Sequence, residues 1–141
     1  MVDFRLPPDV QAFRDELRAW LAGNLTDEVR DAARRRGRGD DDALAVLRSW
    51  DRTMADAGWG AVSWPVEYGG RGATALEQLV FTEETIAAGA PTPVNVIGIN
   101  NIAPAIMEYG TERQKRELLP RMVRADDIWC QGMSEPVAGS D

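Results

Sequence analysis

Apolar residues recur three and four positions apart over most of this chain, the signature of helices that bury one face. Val10, Phe13, Leu17, Trp20 and Leu21 make the first stripe. Pro7-Pro8-Asp9 opens it, with Asp9 or a neighbouring turn residue as cap, and Gly23-Asn24 closes it. Arg14 and Arg18 fall on another face of this helix, which predicts solvated side chains. Leu44, Leu47, Trp50 and Met54, with Val46, mark a second helix closed by Gly58. Leu76, Leu79, Val80, Glu83, Ile86 and Ala87 mark a third, and Thr74-Ala75-Leu76-Glu77 fits a capping box at its start. Val94 to Tyr109 reads as a mostly buried helix with Ile99, Ile102, Ile106 and Met107 inside. Pro104 has no amide hydrogen, so it kinks that helix or starts a fresh piece, and Gly110 ends it. Thr111-Glu112-Arg113-Gln114 is a second capping box, opening an amphipathic run through Lys115, Arg116, Leu118, Leu119, Met122 and Val123. Pro120 predicts a bend within it.

Two stretches between the stripes have no helical period. Arg34-Arg35-Arg36-Gly37-Arg38-Gly39 followed by Asp40-Asp41-Asp42 reads as a solvated loop whose aspartates cap the next helix and match its dipole. Trp59 to Gly72 is rich in aromatic and turn residues. Its glycines 69, 70 and 72 permit positive φ and close backbone approach, with Trp59, Trp64 and Tyr68 as anchors. This glycine cluster has neither a Walker lysine nor a strand–GxGxxG–helix setting, so it is not a phosphate loop.

After Asp126 the character changes. Asp127 to Met133 lacks helical spacing and predicts an extended strand, and small turn-forming residues dominate Ser134 to Asp141. One isolated strand leaves its ladder groups unpaired, so the expectation is a truncated chain or a partner that supplies the sheet.

Composition narrows the chemistry. The 141 residues carry 16 Lys and Arg against 23 Asp and Glu, with no His and a single cysteine, Cys130. Without His, imidazole bases, His-containing triads and His-ligated zinc are excluded. One cysteine excludes an intramolecular disulfide and CxxC metal knuckles. A net charge of −7 argues against nucleic-acid binding. No apolar run reaches the roughly 20 residues that span a bilayer, and the N-terminus lacks the layout of a secretory signal. These features predict a cytoplasmic protein with a reduced thiol. Glu83-Glu84 is not a catalytic carboxylate pair, because adjacent helical residues point about 100° apart. One of them at most faces inward, to meet an arginine.

The segment Gly132-Met133-Ser134-Glu135-Pro136-Val137-Ala138-Gly139-Ser140-Asp141 resembles the flavin-binding loop of acyl-CoA dehydrogenases. That loop runs small residue, aliphatic, Ser or Thr, Glu, two free positions, small residue, Gly, Ser or Thr, Asp. Val137 stands where glycine is common in the family. Gly58-Trp59 through Pro65 and Tyr68-Gly69-Gly70-Arg71-Gly72 resemble a second family block, and Gly110-Thr111-Glu112-Arg113-Gln114-Lys115 a third, in family order.

The resemblance implies an all-α N-terminal helical domain over residues 1–125, then the start of a middle β-domain over 126–141 that carries the FAD-binding loop. It further implies that Gln131, Gly132, Met133, Ser134, Gly139 and Ser140 line FAD, and that Ser140 also touches the acyl-CoA substrate. The implied reaction is α,β-dehydrogenation of an acyl-CoA thioester to the 2-enoyl-CoA, with electrons passed to an electron-transfer flavoprotein. The family's catalytic glutamate lies in a C-terminal helical bundle, so no residue here is assigned as catalytic; Glu135 is read as a structural acceptor. A homo- or hetero-oligomer is expected. Pro91, Pro93, Gly98 and Asn100-Asn101 would widen or curve the acyl pocket, which favours a bulky or branched substrate. Two other readings stand beside this one: a non-catalytic or partner-dependent subunit of a heteromeric dehydrogenase, and a helical interaction module without cofactor.

Overall fold

The first helix, α1, spans Pro8–Asn24 and turns Val10, Phe13, Leu17 and Leu21 into the core, as its stripe predicts. The structure, a computed structural model, describes residues 5–37 and 39–133. Five further α-helices follow: α2 (Asp27–Arg35), α3 (Asp41–Asp56), α4 (Ala75–Ala88), α5 (Ala103–Tyr109) and α6 (Glu112–Val123). The described part of the chain is therefore all-α. α1 packs on α4, α2 on α3 and α5 on α6, and α6 also touches α3.

Both capping boxes form. Thr74 and Glu77 exchange hydrogen bonds at the start of α4, and Thr111 and Gln114 do so at the start of α6. Asp40 caps α3, its carboxylate accepting from the Ala43 amide at 2.8 Å. Asp9 caps nothing: Pro7 holds the cap position without a side-chain bond, and Asp9 lies inside the first turn, where its charge suits the dipole.

Trp59 organises the larger core. It is 1% exposed, edge-on to Phe13 at 5.3 Å and stacked on Phe81 at 6.4 Å, with the Arg71 guanidinium over its ring. The loop after it folds back tightly: a Cβ on Gly70 would stand 2.0 Å from the Trp64 carbonyl oxygen, so only glycine fits. A second core joins Ala61 and Trp64 to Ile99, Ala103, Leu119, Met122 and Val123.

The structure departs from the sequence expectations in several places. α2 occupies part of the stretch expected as a loop, with Arg34 and Arg35 in its last turn and Thr26 as its cap. Only Val29 and Ala32 of α2 are buried, too few for a legible stripe. Arg14 and Arg18 are not merely solvated. Arg18 grips Glu84 through two hydrogen bonds of 2.6 and 2.8 Å. Arg14 Nε lies 2.9 Å from the same carboxylate as an ion pair without hydrogen-bond alignment. Glu84 is the inward member of the Glu83-Glu84 pair, and it and Val80 form the buried face of α4. That rotation leaves Leu76, Leu79 and Ile86 on the exposed side.

Val94 to Tyr109 is not one buried helix. A π-helical turn, Gly98–Ile102, precedes α5, and Pro104 sits in the first turn of α5, where its missing amide removes no bond. Ile99 is buried, whereas Ile102, Ile106 and Met107 are half-buried. α6 runs through Pro120 to Val123. Residues 127–133, expected as a strand, form none among the described residues.

Candidate functional site

The chain leaves α6 through a turn that is fastened from outside. Ala125 is fully buried with a left-handed φ of 54°, a conformation that side chains disfavour and that neighbours must enforce. Arg48 of α3 does so by donating to the Ala125 and Asp126 carbonyls at 2.9 and 3.0 Å, and Arg52 pairs with the Asp126 carboxylate at 3.0 Å.

The next residues are tethered by one buried amide. Asn95 is 1% exposed. Its Nδ2 donates to the Met122 carbonyl at 2.9 Å, and its Oδ1 accepts from the Trp129 amide at 2.8 Å. Both ends of its side chain are thus matched, which burial of an amide requires. The π-turn wraps around this group. A Cβ on Gly98 would fall 2.5 Å from the Asn95 side-chain nitrogen and oxygen, so glycine is needed there. A π-turn of this kind recurs at functional sites. From it Asn101 Nδ2 donates to Gln131 Oε1 at 3.3 Å.

Of the expected cofactor residues, Gln131, Gly132 and Met133 are exposed beside this turn. Ser134, Gly139 and Ser140 lie outside the described residues. Nothing approaches within 4 Å of where a Cβ on Gly132 would stand. The amides of residues 131–133 meet no acceptor among the described residues. An open backbone with free amide donors fits close approach by a flat, electron-accepting ring.

On the other side of Val94 lies a cleft of about 200 Å³ between α3, α4 and residues 90–93. Trp50, Met54, Trp59, Phe81, Pro91 and Pro93 give it apolar walls. Asp51, 5% exposed, also lines it and accepts from the Val94 amide at 2.8 Å. Burial pushes its carboxyl up to about 6, against the opposing pull of the Val94 amide and the Arg36 charge. Residues 94 and 95 therefore connect the cleft to the tether.

Sequence reasoning passed over Asp51 and Asn95. Asp51 continues the spacing of Leu47 and Met54 on the buried face of α3, and Asn95 interrupts an apolar run. Either polar residue in such a place was a usable signal.

The model of the acyl-CoA dehydrogenase N-terminal domain matches residues 7–126. The chain belongs to the acyl-CoA dehydrogenase family. It is 42% identical over 137 residues to acyl-CoA dehydrogenase IpdE1 of Mycolicibacterium smegmatis, covering 94% of this chain and 34% of that protein. It is 43% identical over 134 residues to acyl-CoA dehydrogenase FadE26 of Mycobacterium tuberculosis, covering 95% of this chain and 33% of the relative. Among solved structures it is similar to a chain of the ChsE4–ChsE5 complex from Mycobacterium tuberculosis, with a TM-score of 0.74 and 40% identity over 98% of this chain and 33% of that one. The steroid ACAD Tcur3481–Tcur3483 gives a TM-score of 0.73 and 34% identity over 98% of this chain and 34% of its own. The chain spans about a third of the length of these family members. No described helix is long and apolar enough to cross a membrane.

Proposed function

We propose that this chain is the N-terminal helical part of an FAD-dependent acyl-CoA dehydrogenase that acts on a bulky, ring-bearing acyl-CoA. It works within a heteromeric assembly in the cytoplasm and passes electrons to an electron-transfer flavoprotein. The observation that carries this reading is the likeness along almost the whole chain to one chain of the ChsE4–ChsE5 complex and one chain of a steroid ACAD. Those two-component relatives also support the partner-dependent form of the reading, in which a second chain completes the site.

FAD, when bound, supplies the hydride acceptor. Gln131, Gly132, Met133, Ser134, Gly139 and Ser140 would hold it, with residues 126–141 opening the β-domain and Ser140 also meeting the thioester substrate. Backbone amides in this segment favour negative charge on the side they face. Asn95 and the π-turn hold the start of the segment in place, which is the contribution of the helical domain. The proton-abstracting base lies outside these 141 residues.

The full-length protein should purify yellow with bound FAD. Replacing Gly139 or Ser140 by Phe should lower its flavin content, measured by absorbance after denaturation. Unaltered FAD content in both variants would overturn the site assignment.

A further inference from the structure

The cleft beside Asp51 has the makings of a binding site. At about 200 Å³ it exceeds the roughly 150 Å³ apolar cavity that admits benzene. Its flat walls, Trp50, Trp59, Phe81, Pro91 and Pro93, suit the faces of a ring. Three threonines reach it, but Thr82 donates to the Gln78 carbonyl at 2.9 Å and Thr85 to the Phe81 carbonyl at 2.7 Å within α4, while the Thr92 hydroxyl accepts from Arg36 at 2.9 Å.

Asp51 is different. It is nine-tenths buried, and only Oδ2 is engaged, by the Val94 amide. Among the described residues no donor meets Oδ1. Arg36 is turned to the Thr92 and Pro93 carbonyls. Oδ1 is not among the sealed, unpartnered side-chain atoms, so it keeps access to solvent and offers an accepting oxygen that no protein donor occupies among the described residues.

We propose that this cleft binds an apolar ring system carrying a hydroxyl group, the hydroxyl donating to Asp51 Oδ1. In assigning that ring to the far end of the acyl substrate the proposal rests on the dehydrogenase reading, since Val94 and Asn95 lead from the cleft to the tethered segment; the binding itself does not. The cleft then selects substrates by an acceptor that a plain hydrocarbon cannot satisfy, a stronger discrimination than wall length alone gives.

The test titrates the full-length protein with 2-decalol and with decalin while following tryptophan emission, because Trp50 and Trp59 line the cleft. The alcohol should bind at least ten-fold tighter, as expected for a hydrogen bond to an ionised acceptor. Asp51→Asn keeps an oxygen for the Val94 amide and removes the free acceptor, so the preference should fall below three-fold. Thr85→Trp fills the cleft and should abolish binding of both probes. Equal affinities, a preference unmoved by Asp51→Asn, or no emission change with either probe would overturn the proposal. A protein whose flavin is reduced by an acyl-CoA yet does not discriminate the alcohol keeps the dehydrogenase reading and loses this one. A colourless protein that discriminates does the reverse.

Discussion

Trp59 and Asn95 are equally buried, each 1% exposed, yet they hold the molecule by opposite means. Trp59 sits among Phe13, Trp20 and Phe81 and contributes area and ring contact. Asn95 contributes two hydrogen bonds, to Met122 and Trp129, and little else. The helical body around Trp59 depends on volume, so a side chain of similar size and apolarity serves nearly as well. The tether around Asn95 depends on matched donors and acceptors, so an apolar residue of the same size leaves the Trp129 amide unpaired and takes one of two donors from the Met122 carbonyl. Bulk stabilises the scaffold, and direction places the segment that leaves it.

Substitutions separate the two regions. Trp59→Ala should have the largest effect, a loss of about 3–5 kcal/mol in urea unfolding, through an unfilled cavity in the body. Asp51→Asn should act in the other direction and only above acid pH. The folded-state carboxyl is raised from 3.8 to about 6, so the folded chain holds its proton more tightly than the unfolded chain. Stability contributed by Asp51 therefore falls as pH rises through that window. Roughly two pH units at 1.36 kcal/mol each make Asp51→Asn about 3 kcal/mol more stabilising at pH 8 than at pH 3, read from paired unfolding curves. Asn95→Leu should cost about 2 kcal/mol and speed amide exchange at Trp129, whereas Trp59→Phe should leave Trp129 exchange unchanged. Thr111→Ala should cost about 1 kcal/mol by removing the α6 cap, with no effect at Trp129.

Much of the scaffold was legible because its signals are local. The two capping boxes need only Thr and Glu or Gln three residues apart, and the α1 stripe needs only its own spacing. What failed was decided between helices. Arg14 and Arg18 look solvated on α1 alone, and only the docking of α4 brings Glu84 to them. The same docking exposes Leu79 and Ile86, which the periodicity of α4 places inside. The tether is legible only in three dimensions, because Asn95 and Trp129 are 34 positions apart. The cofactor residues were named from a motif rather than from spacing, and half of them lie outside the described residues.

Anaerobic titration of the full-length protein with a ring-bearing acyl-CoA tests the dehydrogenase reading most directly. The account predicts stoichiometric loss of the oxidised flavin band with formation of the 2-enoyl-CoA; a flavin that stays oxidised under every such thioester, or a protein that takes up no FAD, would contradict it.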